Sequence, residues 1–142
     1  MRIIIALLAL CIISYCKKSA SVPVTLSVKA NNEQEWKTSD VTTNNEGNGV
    51  VSITGATTDG SKLVVLNIAT YRDGRATYTI NQTYYYAVAG TNSASYQDDS
   101  VIVQSITGII NVTSDNTNSI GGNFAFDGPT GHVSGTFTAA KP

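Results

Sequence analysis

The chain has little of the chemistry that most enzyme and metal sites use. Of its 142 residues two are cysteines, Cys11 and Cys16, and one is a histidine, His132. Because both cysteines lie in the first sixteen residues, the rest of the chain has no thiol for a disulfide, a zinc-thiolate site or a cysteine nucleophile. One imidazole is too few for a typical transition-metal site. We therefore expect a domain that folds without a disulfide, a metal or another cofactor.

Charged side chains are also scarce. They make up 13% of the chain, and the formal net charge is -1. A protein that binds nucleic acid through its phosphates needs a basic surface. This composition does not supply one, so we expect no nucleic-acid partner. Serine, threonine and asparagine are abundant instead, so hydroxyl and amide groups keep the surface soluble more than ion pairs do.

The first residues predict an export signal. Arg2 provides a short positive region, and Ile3 to Ile13 form an apolar run. The run is long enough for the core of a signal peptide and too short to span a bilayer. We therefore predict a signal peptide at residues 1–15.

The end of this run resembles the signal of bacterial lipoproteins, in which a lipidated cysteine becomes the mature N-terminus. Cys16 stands at the position of that cysteine, and Tyr15 departs from the pattern, which has Gly, Ala or Ser there. We predict a lipid on Cys16, a membrane anchor through it, and a short tether at residues 16–21. Ordinary secretion with cleavage near Ser19 to Ser21 is the alternative.

The rest of the chain has the pattern of a β domain. From Val22 onward apolar residues recur mostly at every second position, the period of a strand with one buried face. Clusters of Gly, Asn and Asp separate short segments of this kind. The sequence predicts a single all-β domain at residues 22–142. We expect an antiparallel meander of about nine or ten strands closing into a β-sandwich or a flattened barrel.

Particular strands carry further expectations. Leu63 to Ile68 is apolar at neighbouring positions, so we expect a central strand that is covered on both faces. Val101 to Val112 predicts a single strand. Because the chain has few aromatic residues, we expect four of them in the core: Trp36, Phe124, Phe126 and Phe137.

The order of residues along these strands resembles a known family. Trp36 follows the first strand, and later come Gly74 to Tyr78, Ser95 with Tyr96, and three glycine-bounded strands, Gly108–Val112, Gly121–Phe126 and Gly135–Phe137. This order is similar to that of small Bacteroidota lipoproteins of unknown function, over nearly the whole chain from Cys16. The resemblance implies an all-β lipoprotein of the outer membrane or cell surface, or alternatively of the periplasmic face. It implies no catalytic or binding residue.

Candidate catalytic and calcium-binding residues lie in predicted turns. His132 follows Gly131 at the entry to the last strand, and paired carboxylates for glycoside hydrolysis would have to come from turn residues. These carboxylates are Asp73, Asp98, Asp99 and Asp127. Asp98 with Asp99, and Asp115 with Asn116 and Asn118, offer oxygens to calcium but lack the spacing of a known calcium loop. Local hydrogen bonding in turns accounts for these residues, so we do not expect an enzyme.

Tyr84, Tyr85 and Tyr86 form the most informative local feature. Side chains alternate along a strand, so Tyr85 is expected opposite its two neighbours, and one face presents phenols outside the core. Exposed tyrosines stack on sugar rings and hydrogen-bond through their hydroxyls, but tyrosine also covers open sheet faces as an ordinary strand former. We take the three residues as a candidate ligand platform.

Together these observations favour a non-enzymatic, lipid-anchored binding module of the cell envelope. Its partner would be a glycan, a small ligand or an envelope protein. The alternative is a structural or assembly component of the envelope that has no small ligand.

Overall fold

The computed structural model describes residues 21–47, 49–82 and 90–142, and these residues form strands, turns and no helix. Alternating β-branched and hydroxyl residues favour strands, and glycine and asparagine end them. The eleven strands are β1 (Thr25–Ala30), β2 (Trp36–Thr38), β3 (Val41–Gly47), β4 (Val50–Ala56), β5 (Leu63–Ile68), β6 (Ala76–Asn81), β7 (Ser93–Gln97), β8 (Ile102–Gln104), β9 (Thr107–Asp115), β10 (Ser119–Gly128) and β11 (Gly131–Ala140).

The strands form two antiparallel sheets. The six-stranded sheet has the order β2-β1-β11-β10-β9-β6, and the five-stranded sheet has the order β3-β4-β5-β7-β8. Each sheet contains a local meander, β9 to β11 in the first and β3 to β5 in the second. The predicted all-β fold is confirmed, and of its two closures the sandwich is the one observed. No described segment is a helix that is long and apolar enough to cross a membrane.

The core lies between the two sheets. Phe124, Phe126 and Phe137 are buried there, as expected, and the rings of Phe124 and Phe126 are 6.2 Å apart. Trp36 lies on the edge strand β2, so it packs against the core but stays half-buried. Gly135 pairs with Phe124 across β10 and β11, and a Cβ atom on Gly135 would lie 2.6 Å from the Phe124 ring. The glycine therefore makes room for a phenylalanine on the neighbouring strand.

Two strand predictions need correction. Leu63 to Ile68 is the central strand of its sheet, but only its inner face is fully buried, and Leu63 and Val65 on the outer face are half-exposed. Val101 to Val112 is not a single strand, because its backbone changes partners in the middle. The Ser105 N–H donates to Ala94 in one sheet, and the Ile106 N–H donates to Asp127 in the other. β8 and β9 therefore lie in different sheets.

The described chain begins and ends at the same end of the sandwich, which we call the terminal end. Thr25 pairs with Thr138, and Ala30 pairs with Val133. The start of β1 therefore lies beside the finish of β11. Residues 21–24 enter the domain at this end.

The opposite end, which we call the distal end, carries the β1–β2, β4–β5 and β10–β11 turns. The Asn31 N–H donates to the His132 carbonyl at 2.7 Å. The Lys62 ammonium lies 3.1 Å from the Glu33 carboxylate, which joins the β4–β5 turn to the β1–β2 turn. Any tether at the N-terminus thus approaches the domain from the side opposite to these turns.

Candidate functional site

Two of the predicted sites lie outside the described residues. Cys16, the predicted lipidation site, precedes residue 21, and the platform formed by Tyr84, Tyr85 and Tyr86 falls between residues 82 and 90. Both stay predictions.

Asp98 is engaged by its own turn. Asp98 Oδ1 accepts hydrogen bonds from the Ser100 N–H at 2.8 Å and the Val101 N–H at 2.7 Å, and Asp98 Oδ2 accepts one from the Tyr96 hydroxyl at 3.0 Å. Burial opposes ionisation of Asp98, but these hydrogen bonds outweigh it and lower its pKa. Asp98 therefore stabilises the β7–β8 turn.

Asp115 is held in a similar way at the terminal end. Its Oδ1 atom lies 2.8 Å from the Lys141 ammonium, and its Oδ2 atom accepts hydrogen bonds from the Tyr71 hydroxyl and the Gly74 N–H. The hydrogen bond from Lys141, followed by that from Gly74, lowers the pKa of Asp115. This carboxylate joins the C-terminal residues to the segment between β5 and β6.

The histidine lies at the distal end. His132 Nδ1 is 2.8 Å from Asp127 Oδ1 across the β10–β11 hairpin, and both side chains are exposed. Across the described ranges, no group of three or more His, Cys, Asp and Glu residues is arranged to hold a metal ion.

The outer face of the six-stranded sheet carries an ordered set of polar side chains. At one level of the sheet, five residues on five neighbouring strands pair in register, and we call them the polar row: Ser27, Thr136, Asn123, Asn111 and Thr77. All five are at least partly exposed. Adjacent strands lie about 4.8 Å apart, so the row extends for about 19 Å across the strands.

Sheet geometry explains why these residues face outward. Side chains alternate between the two faces of a strand, and the neighbours of Asn123 and Thr136 in sequence include the buried Phe124 and Phe137. Burial of the phenylalanines in the core thereby directs the amide and the hydroxyl to the solvent. The polar row is the outward counterpart of the aromatic core.

Within the row, one hydrogen bond connects neighbouring strands. The Thr77 hydroxyl donates to Asn111 Oδ1 at 3.0 Å, which leaves the Asn111 amide nitrogen as a donor toward the solvent. In the part of the chain that the structure describes, Thr136 and Asn123 form no side-chain hydrogen bond. These two side chains are available to a ligand without loss of an internal partner.

The next level of the sheet is partly apolar. Its residues, from β1 to β6, are Lys29, Ser134, Ala125, Ile109 and Thr79. Ile109 is 40% exposed and is one of two large apolar side chains that are exposed on the described surface, the other being Ile102. Ala125 and Ile109 pair directly, so a small apolar surface lies beside Asn123 and Asn111 of the polar row.

An open groove lies at the β1 side of the row. It has a volume of about 470 Å³, and it is lined by Thr25, Leu26, Ser27, Lys37, Thr38, Ser39 and Thr136. Ser27 and Thr136 belong to both the groove and the polar row. We call this cavity the β2 groove, because β2 forms one of its walls. Hydroxyl groups supply most of its polar lining.

Charged groups are confined to the edge of this surface. The Lys37 ammonium lies 3.9 Å from the Glu35 carboxylate, and the Ser27 hydroxyl donates a hydrogen bond to the same carboxylate. The polar row itself contains no charged residue. The surface is therefore built for hydrogen bonding to an uncharged partner more than for ion pairing.

A second opening adjoins the β2 groove and shares Lys37, Thr38 and Ser39 with it. Its volume is about 510 Å³, and its other walls come from Asp40 and residues 57–59. The hydrogen bond from the Thr57 hydroxyl, followed by those from Ser61, lowers the pKa of Asp59 to about 2. The wall of this opening thus carries an ionised carboxylate at neutral pH.

Comparison with known families assigns the chain to one family. A family model described as Domain of unknown function (DUF6252) matches residues 25–141. The chain belongs to this family. No curated protein and no solved structure matches it. The match agrees in one respect with the resemblance drawn from residue order, since both lead to a family of unknown function.

The polar row of this DUF6252 domain is not recognisable along the sequence. Its five residues come from five strands, and consecutive members such as Ser27 and Thr136 are far apart in the chain. Only the register of pairing places them at one level. Each strand alone shows the ordinary alternation of polar and apolar residues. The feature of the sequence that could have indicated such a row is the abundance of Ser, Thr and Asn.

Proposed function

We propose that this DUF6252 domain is a non-enzymatic binding module of the cell envelope, and that its ligand is a glycan bound on the polar row and the β2 groove. The observation that carries the proposal is the in-register row of uncharged polar side chains that leads into a groove whose lining includes five hydroxyl residues.

The chemistry of the row supports a sugar ligand. Hydroxyl and amide groups both donate and accept hydrogen bonds, as the hydroxyls of a sugar do. Serine, threonine and asparagine are short, so they lose little rotamer freedom when a ligand binds. Their positions are fixed by strands of a packed sheet, which favours a preorganised surface.

The positions of the acidic groups support a binding role over catalysis. Asp98, a sequence candidate for hydrolysis, and Asp115, a sequence candidate for calcium, accept several hydrogen bonds from their own turns or from neighbouring segments. The polar row has no carboxylate pair and no histidine. The titratable groups at the groove, Lys37 and Glu35, lie against each other at its edge and form no carboxylate pair.

We also propose that the protein is exported and anchored through a lipid on Cys16, as a lipoprotein of the outer membrane or cell surface in the Bacteroidota. Residues 21–24 enter at the terminal end. A lipid at Cys16 would therefore attach the terminal end to the membrane. The distal end would point away from the bilayer, and the row, on the side of the sandwich, would stay accessible.

The test is binding of neutral polysaccharides to the full chain. Soluble β-glucan, xylan and mannan are titrated by calorimetry, and melting is followed in parallel. A ligand that binds only the folded state stabilises it by about 2.7 kcal/mol at a hundred times its Kd, which raises Tm by several degrees. We expect at least one of these polymers to bind.

A matched pair of double variants locates the site. Thr136→Ala with Asn123→Ala removes two members of the row, and we expect binding to be lost. Thr42→Ala with Asn44→Ala removes the same residue types from exposed positions of β3 on the other sheet, and we expect binding to be unchanged. Equal loss in both variants would contradict the site. Failure of every polymer to bind would favour the alternative, a structural or assembly component of the envelope.

A further inference from the structure

We propose that the ligand is an extended, uncharged polysaccharide chain that lies across the strands along the polar row, with one part of the chain in the β2 groove. This inference rests on the proposed function and specifies the class and the direction of the ligand. The juxtaposition that carries it is an in-register row of hydrogen-bonding groups from Ser27 to Thr77 that is continuous with the groove.

The length of the row favours a chain over a single sugar. The row crosses five strands and extends for about 19 Å, whereas one sugar ring extends over about one strand interval. A monosaccharide would therefore contact one or two members of the row. A chain of several units would contact all five, from Ser27 and Thr136 at the groove to Thr77 on β6.

The apolar surface beside the row matches the apolar faces of sugar rings. Sugar rings present C–H groups on their faces and hydroxyls on their edges. Asn123 and Asn111 supply hydrogen-bonding groups, and the adjacent Ala125 and Ile109 supply an apolar surface that includes the 40% exposed isoleucine. A chain lying along the row would place its hydroxyl edge over the amides and its ring faces over Ala125 and Ile109.

The distribution of charge favours an uncharged chain. An anionic polysaccharide would require a cation at each repeat, but between Thr136 and Thr77 the row has none. Lys29 and Lys37 stand only at the β1 and β2 side, and Lys37 already lies 3.9 Å from Glu35. A uniformly charged polymer would therefore find no cationic partner along the middle of the row.

The experiment measures affinity as a function of chain length. Ladders of β-1,4-linked glucose, xylose and mannose, from one sugar up to about six, are titrated into the full chain, with oligogalacturonate as the anionic comparison. We expect affinity to rise at least tenfold from the disaccharide to the longest member of one neutral ladder, because more of the row is engaged. Oligogalacturonate should bind more weakly than that ladder.

Three isosteric variants test the direction of the chain. Thr136→Val removes a hydroxyl beside the groove, Thr77→Val removes one at the β6 side, and Thr42→Val on the other sheet is the control. Thr77→Val should weaken the longest oligosaccharide about fivefold, the effect of one hydrogen bond, and leave the disaccharide unchanged. Thr136→Val should weaken both ligands, and Thr42→Val neither. Melting curves confirm that each variant is folded.

The outcomes separate this inference from the proposed function. Binding that does not depend on chain length, or that is insensitive to Thr77→Val, would overturn the extended chain while leaving a glycan-binding module in place. Tighter binding of oligogalacturonate would overturn the uncharged ligand alone. Failure of all ladders and of the parent polymers to bind would overturn both.

Discussion

The Lys141 ammonium lies 2.8 Å from Asp115 Oδ1, and this ion pair ties the residue after β11 to the last residue of β9. The Asp115 side chain is only 4% exposed, and Lys141 also lies 3.0 Å from the exposed Asp73. Burial of the central carboxylate makes its hydrogen bonds structurally important, because an unpaired buried acceptor costs free energy.

Asp115→Asn should lower the free energy of unfolding. An amide can keep one acceptor oxygen but places an NH₂ group against the donors around it, so at least one hydrogen bond is lost, at a cost of about 1–3 kcal/mol. Urea denaturation measures the change. Asp73→Asn is the matched control, since Asp73 contacts the same ammonium but is 80% exposed, and its effect should be small. Equal destabilisation by both variants would contradict a special role for the buried carboxylate.

The lowered pKa of Asp115 makes the stability of the protein depend on pH. The hydrogen bond from Lys141, followed by that from Gly74, holds the pKa of Asp115 below its usual value. The unfolded chain therefore takes up the proton first as pH falls. The contribution of Asp115 is complete above about pH 4 and is lost as pH falls through the lower pKa of the folded state.

Melting temperatures between about pH 7 and pH 2 check this dependence. The loss of stability in acid should be smaller in Asp115→Asn than in the parent protein, because the variant has no proton to bind at this position. Identical pH profiles would show that other carboxylates carry the acid sensitivity. Asp59, whose pKa is lowered to about 2 by the hydrogen bond from Thr57 and those from Ser61, is the first alternative.

The aromatic residues of the core should differ in their contribution to stability. Phe124 and Phe126 are buried in the core, so truncation of either to Ala should cost about 3–5 kcal/mol. Trp36 is half-buried on an edge strand, and Trp36→Ala should cost less. Ile109→Ala, at a position 40% exposed, should change stability little. Denaturation of the four variants gives the order, and a Trp36 effect equal to those of the phenylalanines would contradict it.

The sequence predicted strands with one apolar face better than strands that are polar on both faces. The alternation that predicts a strand comes from having one buried face, so β10 and β11, which contain Phe124 and Phe137, were found. β3 was missed, because its sequence from Val41 to Gly47 has a single buried residue, Val41. An edge strand that is polar on both faces has no hydrophobic period to detect.

The candidate site was less predictable than the fold. Tyr84, Tyr85 and Tyr86 are adjacent in sequence, so the sequence alone suggests them as a site. Asn123 and Thr136 become neighbours only through the pairing of β10 with β11. Register depends on all the strands together and cannot be obtained from any one of them. The division of the predicted strand from Val101 to Val112 has the same origin, since the partners of Ser105 and Ile106 are strands that are distant in sequence.

The proposed lipid on Cys16 leads to a prediction about where the protein is found in a fractionated cell. Cys16→Ser removes the thiol to which the lipid would be attached, so the protein should leave the membrane fraction. Cys11→Ser, inside the apolar run, is the matched control and should leave membrane association unchanged. Immunoblots of washed membranes measure both. Membrane association of Cys16→Ser that still requires detergent for release would contradict a lipid at this residue.

Calcium should leave the stability of the protein unchanged. A calcium site needs several oxygen ligands that are free to face the ion, but Asp98 already accepts hydrogen bonds from Tyr96, Ser100 and Val101. Asp115 is likewise engaged by Lys141. Binding of calcium at either carboxylate would have to displace these donors.

Melting curves of the full chain with millimolar calcium and with a chelator should therefore coincide. A rise of several degrees with calcium that disappears in Asp98→Asn would place an ion at the β7–β8 turn and contradict the purely structural role of that carboxylate.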